Sequence, residues 1–239
     1  MSSVRPRQVA PYYEMIIPRE ILEPVSHWLD THLINLNTCR LSNNISSDLL
    51  EVVEFPNHAE ASGRPDHTTS GALMELNIVN NVLLKYQFPY DSVNNAVEMI
   101  KQHYSLPTNV LVDEDLGHMI SVSLKNNRVH THLDDFFITQ GQYHVRINNM
   151  FRKARGGDPV MNDEIYNVPE GRTWVCEASH VEHGTTSIDH DDIRYMLSVG
   201  FWLSRDELLR VRHQQLKDGD KTWFGQGLEA LKNIHKLLE

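Results

Sequence analysis

Cysteine is scarce in this chain of 239 residues: only Cys39 and Cys176 occur, far apart. That count excludes a disulfide framework and a thiolate zinc site, and it points to a reducing cytoplasm as the setting. Long apolar runs are missing too. No segment approaches the roughly 18 continuous apolar residues that a membrane helix needs, and the first thirteen positions, with Arg5, Pro6, Arg7 and Pro11, lack the apolar core of a signal peptide. Positive charge is in deficit: 22 Lys and Arg stand against 32 Asp and Glu, a net charge of -10. No broad attraction to nucleic acid or to an anionic membrane follows from that balance, which leaves small molecules or peptides as the expected partners. The chain also has no glycine-rich phosphate loop, no His-Glu-x-x-His pair and no internal repeat.

What is present fits one domain over 1–239, long enough to bury a substantial core. Its expected parts are a helical and strand support region (1–107), a β core (108–203) and C-terminal helices (204–239). In the support region a strand is expected from Tyr12 to Ile17. A helix from Arg19 to Ile34 follows, with Ile21, Val25, Leu29 and Leu33 on one face and Pro24 either kinking it or marking its start. The stretch from Asn57 to Ser70 has loop composition and reads as a lid. Val93, Ala96, Val97 and Ile100 recur at helical spacing between Asp91 and Tyr104.

From Thr108 to Leu203 the character changes to short β-type runs. They are separated by turn residues such as Asn126-Asn127, Gly156-Gly157-Asp158-Pro159 and Pro169-Glu170-Gly171. Ser204 with Glu207 is a capping box that opens a helix carrying Leu208, Leu209 and Leu216, and a last helix is expected from Leu228 to Leu238. Helices flanking a block of short strands predict a mainly β fold, a sandwich or jelly roll, rather than alternating parallel βαβ units.

The chemistry gathers in the β block. In His130-Thr131-His132-Leu133-Asp134 the imidazoles and the carboxylate alternate, and alternate side chains of a strand share a face, so His132 and Asp134 reach one ion together. A second imidazole must come from elsewhere, and His180 and His183 are the candidates. Two histidines and a carboxylate on one face of an octahedron suit iron(II) that keeps open positions. Against this, the chain has fourteen histidines, so a chance His-x-Asp is common.

Ten residues separate His183 from Arg194, enough for two short strands and a turn, whereas His180 lengthens that spacing. On the strand from Arg194 to Phe201, Arg194, Met196 and Ser198 alternate with Tyr195, Leu197 and Val199. An inward Arg194 calls for an anion, best met by a bidentate carboxylate; facing solvent, it is an ordinary surface residue. Three other classes stay open. A zinc hydrolase lacks its expected base motif, a cupin-type metal enzyme without a keto acid needs the metal but not Arg194, and a non-catalytic jelly-roll binder needs neither.

These residues carry a resemblance. The stretch from Ser121 to Phe201 resembles the iron(II) and 2-oxoglutarate dependent dioxygenases of the aspartyl/asparaginyl β-hydroxylase and proline cis-4-hydroxylase type. The match rests on His132-Leu133-Asp134, the segment from Gly171 to Ala178 leading to His183, and Arg194. The resemblance implies a double-stranded β-helix of cupin-like form, with Fe(II) held by His132, Asp134 and His183, 2-oxoglutarate held by Arg194, and O2 as the oxidant. It implies further that His144, in Gln142-Tyr143-His144 where the group has Arg-x-His, contacts the co-substrate, as does Ser121, eleven positions before His132.

The implied activity is hydroxylation of a small amino acid, a derivative or a peptide side chain, with release of succinate and CO2. The carboxylate of Asp134 favours hydroxylation over halogenation. Gln142 departs from the group, whose arginine there meets a substrate carboxylate. Arg146, four positions on along the same strand face, is either its replacement or a solvent-facing salt-bridge residue.

Overall fold

The computed structural model describes residues 16–32, 53–54, 69–70, 73–77, 87–112, 118–123, 125, 128–134, 142–189 and 191–218. The helix α1 (Arg19–His32) comes first, then β1 (Val53–Glu54), β2 (Thr69–Ser70), β3 (Leu73–Asn77) and α2 (Tyr90–His103). Next come β4 (Leu111–Val112), β5 (His118–Ser123), β6 (Arg128–Val129), β7 (Gln142–Arg152), β8 (Pro159–Met161) and β9 (Glu164–Ile165). The chain continues through β10 (Arg172–Cys176), β11 (His183–Thr185), β12 (Arg194–Ser204) and α3 (Arg205–Asp218).

The larger, seven-stranded sheet is antiparallel in the order β1-β3-β5-β12-β7-β10, with β4 also paired to β12. The smaller layer holds β11-β8-β9 and β2-β6, joined by a bridge between His132 and His183. From β5 to β12 the chain passes between these layers, so that β5, β12, β7 and β10 face β6, β11, β8 and β9. That strand order is a jelly roll, a double-stranded β-helix. The fold is therefore mainly β with flanking helices.

Period-two alternation assigns the two faces of the larger sheet. Val122, Val145, Ile147, Leu197, Val199 and Phe201 turn outward into a core shared with Val25 and Leu29 of α1, Val97 and Ile100 of α2, and Leu208 and Val211 of α3. Each such side chain, fully buried, contributes roughly 1.5–3 kcal/mol. The opposite residues, among them Ser121, His144, Arg146, Asn148 and Ser198, are buried between the layers.

The helices follow their sequence signals closely. In α2 the buried residues are Val93, Ala96, Val97 and Ile100. The capping box of α3 is formed, with Ser204 N donating to Glu207 Oε2 at 2.7 Å and Glu207 N donating to Ser204 Oγ at 3.4 Å. Pro24 lies inside α1 rather than at its start, so that helix gives up one internal bond.

Two points differ from the sequence reading. Ile16 and Ile17 are not strand, and Ile17 is instead packed in the outer core. In addition β3, which the sequence reading lacked, extends the sheet beside β5 in the register Leu73↔Ser123 to Asn77↔Met119. Positions 57–68 of the expected lid and the helix from Leu228 to Leu238 lie outside the described residues. None of the described helices is long and apolar enough to cross a membrane.

Candidate metal centre and the jelly-roll interior

His132 and Asp134 follow β6, and His183 opens β11. Antiparallel pairing holds them together: His132 N donates to His183 O at 3.0 Å and His183 N donates to His132 O at 2.9 Å. Asp134 N donates to Ala178 O at 2.9 Å, which fastens the third residue to the turn after β10. One potential ligand atom from each of His132, Asp134 and His183 lies within 4.8 Å of the others. His180 is not in this cluster; its Nδ1 lies 2.7 Å from Ser179 Oγ and its ring lies against Tyr143.

The backbone also fixes which nitrogen each imidazole presents. His132 Nδ1 lies 2.8 Å from His130 O, and His183 Nδ1 lies 2.9 Å from Val181 O. A carbonyl only accepts, so both Nδ1 atoms carry the proton and a neutral ring has only a lone pair at Nε2. Those lone pairs point at Asp134: His132 Nε2 is 3.4 Å from Oδ1 and His183 Nε2 is 3.9 Å from Oδ2. Two lone pairs and a carboxylate repel at this range unless a proton or a cation lies among them. The donor set, two neutral nitrogens and one oxygen with their tautomers set by carbonyls, fits a divalent transition metal.

Electrostatics agree. Burial works to raise the Asp134 carboxyl, but its contacts with His132 and His144 and its closeness to His183 outweigh it and hold the group well below the usual carboxylate range. Burial pushes His183 down to about 4, against the pull of Asp134, so its ring is neutral near pH 7 as a ligand must be. His144, fully buried on β7, places Nδ1 3.3 Å from Asp134 Oδ2 and stacks its ring 4.9 Å from that of Trp202. It stands beside the triad, against the Asp134 carboxylate.

The remaining predicted residues spread along the interior. Gln142 stands at the start of β7 opposite Ser204. Arg146 is 7 % exposed and donates from Nε to Ser198 Oγ at 2.8 Å, so the solvent-facing alternative for it does not hold. Ser198 Oγ donates in turn to Asn148 Oδ1 at 2.6 Å. Ser121 is buried opposite Met196. Arg194 is 1 % exposed and inward; it donates from Nη2 to Ser123 Oγ at 2.8 Å and from Nη1 to Gly157 O.

Sequence reasoning missed Asn148 and Ser198 as parts of a polar interior, although the alternation His144, Arg146, Asn148 was there to find them. It also missed Glu177 and Arg212. Arg212 on α3 donates from Nε to Glu177 Oε1 at 2.6 Å and from Nη2 to Oε2, pinning the turn that supplies the carbonyl of Ala178 to Asp134. No spacing signal links positions so far apart.

No protein-family model matches the chain, and no curated protein matches it. Among solved structures, a prolyl-4-hydroxylase of Pseudomonas putida shows 11% identity and a TM-score of 0.43, over 80% of this chain and 90% of its own. AviO1 of Streptomyces viridochromogenes shows 12% and 0.49, over 79% and 86%. An oxidoreductase of the 2OG-Fe(II) oxygenase family from Burkholderia pseudomallei shows 12% and 0.40, over 61% and 79%. At such identities and scores the fold is read from the strand order itself and the chemistry from the side chains.

Proposed function

We propose that this protein is an iron(II) and 2-oxoglutarate dependent oxygenase that hydroxylates a small amino acid, an amino-acid derivative or a peptide side chain. One observation carries the reading: the Nε2 lone pairs of His132 and His183 and the carboxylate of Asp134 converge, each imidazole held in that tautomer by a backbone carbonyl. A site of three protein ligands keeps positions open for a co-substrate and oxygen. When bound, iron supplies the redox chemistry by which a 2-oxo acid and O2 yield succinate, CO2 and an oxidised substrate.

The chain's own residues do the rest. His132, Asp134 and His183 hold the ion. His144 fixes the Asp134 carboxylate. The interior supplies two buried guanidinium groups suited to a dicarboxylic acid: Arg194, the position implied by the resemblance, and Arg146. The apolar residues between the layers exclude water from this space. Asp134 in the carboxylate position supports hydroxylation over halogenation, and the substrate class comes from the resemblance of the His-x-Asp, distal His and Arg pattern.

The test is a panel of free amino acids and short peptides, each incubated with protein, iron(II), 2-oxoglutarate and air. Succinate release coupled to gain of one oxygen atom by a panel member is expected. Oxygen gain without any need for a 2-oxo acid would move the protein to the cupin-type metal enzymes instead.

A further inference from the structure

The turn from Glu177 to Val181, which follows β10, has contacts on both sides of the larger sheet. On the inner side it meets three residues of the candidate metal centre. Ala178 O accepts from Asp134 N at 2.9 Å, Ser179 N donates to His144 O at 3.3 Å, and Val181 O lies 2.9 Å from His183 Nδ1. The turn itself closes on one atom, since His180 N and Val181 N both donate to Glu177 O, at 2.8 and 2.9 Å.

On the outer side Val175 belongs to the core shared with Leu208 and Val211 of α3. Glu177, two residues on, reaches the same helix: its carboxylate accepts from Arg212 Nε at 2.6 Å and from Arg212 Nη2. The two side chains are only 14% and 17% exposed, so water screens this bidentate pair far less than a surface one. Glu177 therefore holds the turn with its carbonyl and α3 with its carboxylate.

Ladder pairing of β10 with β7 ends at Cys176, and that of β11 with β8 starts at His183. The position of the turn between them rests on its own contacts. A displaced turn would loosen at once the carbonyl that fastens Asp134 and the carbonyl that sets the His183 tautomer. His132, whose Nδ1 meets His130 O in its own segment, would keep its support.

We propose that Arg212 is a positioning residue for the metal centre: through the carboxylate of Glu177 it holds the turn that fastens Asp134 and His183. A helix on the outside of the sheet thereby governs how tightly an ion is held inside it. The proposal rests on the reading of His132, Asp134 and His183 as a metal site.

The experiment titrates the metal-free full chain with Co(II) in the absence of air. Calorimetry reads the affinity, visible absorption bands read the ligand geometry, and urea unfolding of the metal-free protein reads stability. Arg212→Ala and Glu177→Ala should each weaken Co(II) by roughly 10-fold, the low end of what losing a ligand's support costs, and alter the bands. The double variant should lose no more than either single one, because both act through one contact. Arg212→Lys keeps the charge without the planar fork and should recover part of the affinity.

Arg152→Gln is the comparison. Arg152 pairs with Asp30 of α1 at the opposite end of β7 from His144, so its loss should leave Co(II) affinity and bands unchanged whatever it does to stability. If Arg212→Ala fails to fold, Arg212→Lys and Glu177→Gln carry the test and should show the same loss in smaller measure. Wild-type affinity and bands in the Arg212 and Glu177 variants, with only a lower urea midpoint, overturn the proposal and leave the pair as a fastening of α3. An equal loss in Arg152→Gln overturns it as well, since affinity would then follow stability alone. A wild type that takes up no Co(II) overturns the reading of the triad itself, and this proposal with it.

Discussion

His132 and His183 exchange both of their backbone hydrogen bonds, at 3.0 and 2.9 Å, and their ring centroids lie 4.4 Å apart. The candidate metal site is thus built on a strand pair, with the two imidazoles placed by backbone pairing and their tautomers set by the carbonyls of His130 and Val181. Precision of this kind is expected from rigid elements and not from loops.

That arrangement singles out the ligands. Alanine at His132, Asp134 or His183 should each weaken Mn(II) or Co(II) binding by at least about 100-fold, because two remaining ligands hold the ion poorly. His180→Ala should bind metal like the wild type. Equilibrium titration of the four variants checks this, and normal binding by His183→Ala would remove it from the site.

Gly184 sets how closely β11 approaches the segment after β6. A Cβ there would lie 2.7 Å from Val129 O and 3.0 Å from Thr131 N, both backbone atoms that cannot swing aside. Gly184→Ala should therefore push His183 away from His132 and weaken metal binding by about 10-fold or more while every ligand remains, on the scale of losing a ligand's support. Metal titration together with a melting curve separates this from general unfolding.

His144 meets the Asp134 carboxylate from the buried side, 3.3 Å from Oδ2. Its replacement by alanine should cost about 10- to 100-fold in metal affinity, the usual effect of removing a partner that orients a ligand. Unchanged affinity in His144→Ala would leave the histidine a role in packing against Trp202 only.

Stability of the metal-free protein should fall in mild acid. Burial, with Lys101 and Arg146 nearby, pushes His118 from 6.5 down to about 4. The unfolded chain therefore takes up a proton at a higher pH than the folded one. The contribution is complete above pH 6.5 and is lost as pH falls toward 4, about 3 kcal/mol in full. His183, also pushed down to about 4, adds in the same direction. Urea unfolding between pH 7 and pH 4.5 should show a shallower loss in His118→Asn than in the wild type.

Much of this was legible in the sequence because it is local. The alternation of His132 and Asp134, the helical spacing of Val93 to Ile100, and the Ser204 to Glu207 cap all depend on neighbours within a few residues. Alternation grouped Arg194 with Met196 and Ser198 on one face but left open whether that face was inward, which its burial decides. What the sequence could not show depends on partners far along the chain: the pairing of β3 with β5, the pin from Arg212 to Glu177, and the partner that each inward residue meets. Gln142, Arg146 and Arg194 all looked available to a ligand in one dimension. Only the fold shows that Arg146 and Arg194 are buried and whom they meet, Ser198 for the one and Ser123 for the other.

The most direct test of the central claim is conversion of 2-oxoglutarate to succinate by the purified protein in air, with and without iron(II), beside Asp134→Ala. Slow succinate formation is expected even without a second substrate, dependent on iron(II) and absent in Asp134→Ala. Succinate formation in Asp134→Ala equal to the wild type, or none in iron-loaded wild type under any substrate of the panel, would contradict the account.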